Sequence, residues 1–222
     1  THLDPHQQRR KSERFSVSYV TGSHNLKVGF QAEEGLVNAT TLGTGGNVSY
    51  RFNNAVPNQI TQLSTPYVLQ ARMKADLGVY VQDQWAISRL TLNLGLRYEY
   101  FNGYVPAQSI PATPNGWIPA REYPKVEGVP SWHDLDPRMG AAYDLFGDGR
   151  TAVKVSLGRY VAKTGVNIAT ATNPITTSVN SVNRSWDDAN KNYVPDCNLG
   201  NFAKNGECGA ITNTRFGTVV PG

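Results

Sequence analysis

The stretch Leu90-Thr91-Leu92-Asn93-Leu94-Gly95-Leu96-Arg97-Tyr98-Glu99-Tyr100 decides the fold. One parity carries Leu90, Leu92, Leu94, Leu96, Tyr98 and Tyr100; the other carries Thr91, Asn93, Gly95, Arg97 and Glu99. An extended strand sends successive side chains to opposite sides, so this segment has one apolar and one polar surface. A helix would scatter the same leucines around its circumference. The preceding segment reads alike, with Ala75, Leu77, Val79, Val81, Trp85 and Ile87 opposite Asp76, Gly78, Tyr80, Gln82 and Gln84. Asp83 interrupts its apolar row. Only Ser88-Arg89 separates the two, which suits a tight hairpin turn.

Further hairpins follow the same rule. Met139, Ala141, Tyr143 and Leu145 alternate with Arg138, Gly140, Ala142 and Asp144. Gly147-Asp148-Gly149 then supplies residues able to take positive φ, and Val153, Val155, Leu157 and Val161 return against Lys154, Ser156, Gly158 and Tyr160. Near the start, Phe15, Val17 and Tyr19 lead through Thr21-Gly22-Ser23-His24 to Leu26, Val28, Phe30 and Ala32. Asn47 to Phe52 and Tyr67 to Arg72 are weaker strand candidates.

Strand length bears on the environment. Segments 76–87 and 90–101 each run about 12 residues or roughly 40 Å, whereas a common strand has about 5–6 residues. A tilted strand crosses a bilayer in about 9–11 residues. Long two-faced strands with tight turns at one end and long loops at the other suit an outer-membrane barrel. The leucine row would then meet lipid, and Asn93, Arg97, Glu99, Lys154 and Arg159 would face a wet interior or rim. Tyr98, Tyr100, Phe101 and Tyr104 gather where an aromatic girdle would sit, with Trp85 near the opposite end. The competing reading is a soluble β-sandwich or lipocalin-like barrel whose apolar face is core.

Composition fits both. The chain has 222 residues, of which 39% are hydrophobic and 17% charged, which is too apolar for disorder. No apolar run approaches a membrane helix or a signal-peptide core. The net charge of +4 is dispersed and does not argue for nucleic acid. The polar start at Thr1, without methionine, reads as a mature or processed chain or a piece of something longer.

The connections predict long irregular stretches at 35–46, 102–135 and 163–222. The middle one carries Pro106, Pro111, Pro114, Pro119, Pro124 and Pro130, with Pro137 just beyond, a density that forbids a regular ladder. Loops this long are functional or disordered. Cys197 and Cys208 fit a small disulfide-closed loop better than a metal site, and as the chain's two cysteines they suggest an oxidising compartment. Asp188, Asn190, Asn192 and Asp196 place oxygen donors at alternate positions, as a calcium loop does. The match is weak: Lys191 adds charge, Tyr193 replaces the usual glycine, and Leu199 stands at the bidentate glutamate position. An Asn/Asp-rich turn is the alternative.

Catalytic patterns are mostly missing. No Gly-x-Ser-x-Gly elbow, His-Glu-x-x-His, phosphate loop or dinucleotide fingerprint occurs. Gly43-Thr44-Gly45-Gly46 reads as a loop tip. His2, Asp4 and His6 could converge on a metal but lie at a terminus. His133 with Asp134 and Asp136 could form an acid/base set, against a loop-to-strand junction stabilised by turn hydrogen bonds. Sequons at Asn38, Asn47 and Asn183 carry little weight.

Several strings support a family resemblance. Leu77-Gly78-Val79-Tyr80-Val81-Gln82-Asp83-Gln84-Trp85 followed by Leu90 to Glu99 resembles the barrel of TonB-dependent outer-membrane receptors. Asp136 to Asp144 and Gly149 to Tyr160 resemble the next hairpin. The loop from Val194-Pro195-Asp196-Cys197 to Gly206-Glu207-Cys208-Gly209 is similar to the Oar-like subgroup, which carries a carboxypeptidase-regulatory-like domain. The likeness spans most of residues 12–216. It implies a bacterial outer-membrane location, a barrel of about 22 strands plugged from within, and uptake of a scarce ligand driven through the TonB system. The chain shows no plug, TonB box or terminal aromatic strand, so it reads as an internal barrel segment.

The expected fold is therefore all-β, an antiparallel meander of long strands forming part of a transmembrane β-barrel. Residues 1–11 are expected as a polar extension, 12–162 as barrel hairpins with the Pro-rich loop at 102–135, and 163–222 as an extracellular-type loop with the disulfide. Arg97, Glu99, Arg138, Lys154 and Arg159 are the expected ligand-binding residues of the lumen or rim. No cofactor is expected beyond the weak calcium pattern. Expected partners are outer-membrane lipid, the rest of the barrel and plug, and the TonB system. The alternative function is a soluble β-rich hydrolase or carbohydrate-binding module with a pocket under the Pro-rich loops.

Overall fold

The computed structural model describes residues 6–220. Six strands form one antiparallel sheet in the order β1 (His6–Thr21), β2 (His24–Thr41), β5 (Tyr67–Ile87), β6 (Leu90–Tyr104), β9 (Ser131–Asp144) and β10 (Ala152–Gly158). Smaller sheets branch from the long connections. β3 (Val48–Asn53), β4 (Val56–Leu63) and β11 (Ser181–Ser185) make one, and β7 (Gln108–Ile110) with β8 (Arg121–Tyr123) makes another. One short helix, α1 (Asn167–Ala171), follows the last long strand.

The register carries the sequence's alternation across the whole sheet. Phe15, Phe30, Val79, Tyr98 and Leu135 line up in one row over five strands, and Tyr19, Leu26, Asp83, Leu94 and Met139 in another. These residues share one face, and no second layer covers it: Leu94 is 46% exposed, Leu96 42% and Leu157 70%. The soluble reading required this face to be core, and it is bare. From Leu77 to Ile87 the row climbs about ten residues, roughly 33 Å along the strand and about 23 Å across a bilayer at a 45° tilt, close to the apolar band of outer-membrane barrels.

The strands extend beyond the apolar band. β1 begins at His6, so residues 6–11, expected as an extension, belong to the sheet. Gln7, Gln8, Arg9, Arg10 and Lys11 hid this, because a strand that has left the lipid is wet on both faces and loses its period-two pattern. β2 likewise runs through Gly35 to Thr41, where an irregular loop was expected, and β5 has 21 residues. The β2–β5 pairing shifts between Glu33 and Gly35, opposite Lys74. This bulge adds local twist above the apolar band.

Buried packing is concentrated in the connections, which gather over the inner face at the long-loop end. Ala71, Val105 and Ala169 form one cluster with Val126, Val129 and Val166, and Ile110, Tyr123 and Ile175 another against Tyr67 and Leu69. Ile118, Val182, Ile211 and Phe216 form a further cluster with Trp117, Val179 and Phe202. Arg184, 1% exposed, tethers this cap: its guanidinium donates to the carbonyls of Gly209 (2.8 Å), Ala203 (3.0 Å) and Asn201 (3.2 Å). Burial pushes its pKa down from the ordinary value. Residues 163–220 are thus folded against the sheet and carry α1 and β11.

Candidate functional site

The inner face beneath the cap is built from the polar parity of the strands. Register sets Gln31 beside Gly78, Gly78 beside Glu99 and Glu99 beside Asp134; one step down, Gly29, Tyr80, Arg97 and Asp136 align. Two glycines make room for large side chains. A Cβ at Gly78 would lie 2.0 Å from the Arg97 guanidinium, and one at Gly29 would lie 2.7 Å from the Tyr80 hydroxyl. Tyr80 therefore lies over β2, and Arg97 sits 5.9 Å from the Tyr80 ring centroid.

Charges on this face pair closely. Arg97 bonds Glu99, and Arg159 bonds Asp134 and lies 3.8 Å from Asp136. Glu33, only 6% exposed, holds Arg10 and accepts from Lys163 Nζ at 2.7 Å; the same ammonium is 3.2 Å from Asp76. Lys163 comes from the segment after β10, which crosses the inner face to reach β2 and β5. Arg138 stacks at 4.5 Å on the Tyr160 ring. Between these groups lies a cavity of about 300 Å³, lined by Asp76, Arg97, Glu99, Asp134, Arg138 and Lys163 together with Phe101 and Trp132. Its three cations and three carboxylates suit a polar ligand of mixed or zero charge, held by hydrogen bonds rather than by net field.

Of the residues expected from sequence, Arg97, Glu99 and Arg138 meet at this cavity, and Arg159 sits at its edge through Asp134. Lys154 does not join them. It pairs with Ala142, nearer the short turns, on the same face. Sequence reasoning missed Arg10, Glu33, Asp76 and Lys163. Asp76 has the inward parity and was within reach of that rule, whereas Lys163 arrives by a return of the chain that no local pattern encodes.

The acid/base alternative at His133, Asp134 and Asp136 is not assembled. His133 lies on the outer face, its Nδ1 2.7 Å from the Tyr98 hydroxyl, while Asp134 and Asp136 are in the inward network. These residues also lie within β9 rather than at a junction. Pro137 marks where β10 stops instead: Arg159 N–H donates to its carbonyl, and its missing N–H faces the point where the β10 ladder ends at Gly158. Asp136 is fully buried, and its oxygens make no hydrogen bond among the described residues.

In the weak calcium pattern, Asp188 accepts from the backbone N–H groups of Asn192 and Tyr193, both at 3.1 Å. Asn190 and Asn192 turn their amides onto Asp196 at 2.6 and 3.0 Å. Donors directed at Asp196 leave a hard cation without the six or more oxygens it needs, so the fit is poor. Glu207, unforeseen, closes this loop by accepting from Ala189 and Asp196 N–H groups. Among the described residues no group of three His, Cys, Asp or Glu side chains could hold a metal. For the His2, Asp4 and His6 reading, His2 and Asp4 lie outside the described residues. Cys197 and Cys208 form a disulfide, with Cys208 buried against Ile60 and Trp186.

No curated protein and no solved structure matches the chain. A family model described as an outer membrane beta barrel domain matches residues 5–220. With that span, the bare apolar band and the charged inner face, the chain belongs to the family of bacterial outer-membrane β-barrel domains.

Proposed function

We propose that the chain is a stretch of the barrel of a TonB-dependent receptor, in which loops and lumen bind a scarce ligand for uptake and no bond is made or broken. The observation that carries this reading is the crossing segment: Lys163 reaches over the inner face to Glu33 and Asp76, so the face that would line a lumen is partly covered by the chain and carries paired charges. A covered, polar inner wall fits a barrel whose interior must be opened by work. Arg97, Glu99, Arg138 and Arg159 would meet the ligand, with Lys154 lower on its path. The rest of the barrel, a plug, the TonB system and outer-membrane lipid are the partners this reading requires; nucleic acid is not among them.

The test places a reporter cysteine at Thr164, beside Lys163, in intact cells, and follows its reaction with a membrane-impermeant maleimide. Energy-coupled uptake requires the labelling rate to fall when the proton-motive force is collapsed or TonB is deleted. Equal rates under all three conditions would remove the receptor reading and leave a static barrel.

A further inference from the structure

The inner wall carries different charge at its two ends. Its inward acids, Glu33, Asp76, Glu99, Asp134 and Asp136, all lie at or above the row that aligns Tyr80, Arg97 and Asp136. The next row toward the short turns aligns Ser18, Lys27, Gln82, Gly95 and Arg138 over five strands. Below it the inward positions hold Asn25, Gln84, Asn93 and Lys154, and no acid precedes Asp144 at the turn itself. Among the described residues, this half of the wall is cationic.

Arg14, Lys27, Arg97 and Arg138 surround a recess of about 360 Å³ here, with Gln82 and Gly95 between them and no carboxylate in its lining. Arg97 is matched by Glu99. The other three form no ion pair among the described residues. Arg14 donates to the neutral Gln31 Oε1 at 3.2 Å, and Arg138 is held by its stack at 4.5 Å on the Tyr160 ring. Both contacts orient a guanidinium and leave its charge intact. Gly95 keeps the floor open, since the nearest atom to a Cβ there would lie 3.6 Å away. Lys27 and Arg138 stand three strand spacings apart, about 14 Å at the backbone, and both long side chains reach into the gap. Oriented guanidinium forks with an ammonium opposite suit carboxylate or phosphate oxygens.

We propose that this recess binds a small multivalent oxyanion, taking the carboxylate or phosphate groups of a ligand between Arg14, Lys27 and Arg138. Arg97 and Arg138 line both this recess and the charge-balanced cavity above it. One ligand can therefore rest a polar body above and its anionic end below. The inference rests on the reading of the inner wall as the ligand's path, and it names the ligand's charge.

The test is calorimetric titration of the whole barrel that carries this sheet, in uncharged detergent micelles, with citrate, with pyrophosphate and with glucose as the neutral control. Saturable binding is expected with at least one of the two anions, weakening as salt is raised, and none with glucose. Whichever anion binds tells carboxylate from phosphate as the source. Lys27→Gln and Arg138→Gln should each raise the half-saturation concentration about tenfold. Lys27→Arg should keep binding. Gly95→Gln fills the recess while sparing every cation and should abolish it. Arg150→Gln, at the short turn, removes the same charge and should change nothing. Circular dichroism confirms that each variant keeps its strands.

A flat titration with both anions overturns the proposal, as does equal binding of glucose. Binding that survives Gly95→Gln, or that ignores the loss of Lys27 and Arg138, overturns it too. Failure of the receptor reading looks different: the anion still binds, and labelling at Thr164 is the same with and without TonB.

Discussion

His24 Nδ1 lies 2.7 Å from the Asp83 carboxylate on the outer face, in a sheet region otherwise lined by Leu26, Val81, Leu94 and Trp85. The His24 ring stacks on Trp85 with centroids 5.1 Å apart. An acid in an apolar row is tolerated because a cross-strand partner meets it, near the end where Trp85 marks the interface.

Removing one partner should cost more than removing both. His24→Ala leaves the carboxylate facing lipid without its donor and should destabilise the sheet by about 1–3 kcal/mol. The double variant His24→Leu with Asp83→Leu should lose less, or gain stability. Urea midpoints of the whole barrel that carries this sheet, in phosphatidylcholine vesicles, compare them; a double variant weaker than His24→Ala would show that the pair itself contributes net stability.

The two glycines under the inner network should differ on substitution by alanine. At Gly29 the added Cβ meets the Phe15 carbonyl at 2.6 Å, a backbone atom that cannot move without shifting β1. A loss of about 1–3 kcal/mol is expected there. At Gly78 the obstacle is the flexible end of Arg97, so the loss should be smaller and accompanied by displacement of Arg97 from Tyr80. Chemical denaturation read by tyrosine fluorescence gives both numbers.

Glu33→Gln tests the anchor of the crossing segment. Arg10 and Lys163 lose their shared carboxylate, and Lys163 keeps only Asp76. Because both cations stay half in solvent, the global loss should be modest, about 1–2 kcal/mol. Local release should be larger, read as faster protease cleavage within 159–166. Unchanged cleavage would mean that the segment is held by the α1 packing alone.

Arg184→Met should loosen the cap by about 3 kcal/mol, since three backbone carbonyls lose a charged donor in a buried site. Hydrogen exchange is expected to rise across 199–211 while strands β5 and β6 stay protected. Reducing the Cys197–Cys208 bridge should act in the same region, by about 2–3 kcal/mol for so short a loop. Combining the two separates their effects.

The sheet was legible wherever one face meets hydrocarbon, because burial on one side enforces alternation. Leu90 to Tyr100 and Phe15 to Ala32 are of this kind. Legibility ended at Glu33, Glu34 and Lys74, where the strands leave the lipid and a bulge resets the parity, and at Arg9 to Lys11, where water lies on both sides. Arg97, Glu99 and Arg138 followed from parity, and their convergence agrees with it. Lys163 and Glu207 did not follow, since contacts formed by returning loops depend on tertiary packing. The alternative that grouped His133 with Asp134 and Asp136 fails because adjacent residues in a strand point apart.

Both margins of the six-stranded sheet are open among the described residues, and β1 shows solvent along all of its 16 residues. Every second peptide group on that rim points away from β2 with nothing to bond. Inside hydrocarbon each such group carries a penalty of several kcal/mol, so a span of even five or six would outweigh the stability of an ordinary domain. Insertion and lateral zippering must therefore be a single event: this sheet enters a bilayer only as its flanks are being sealed.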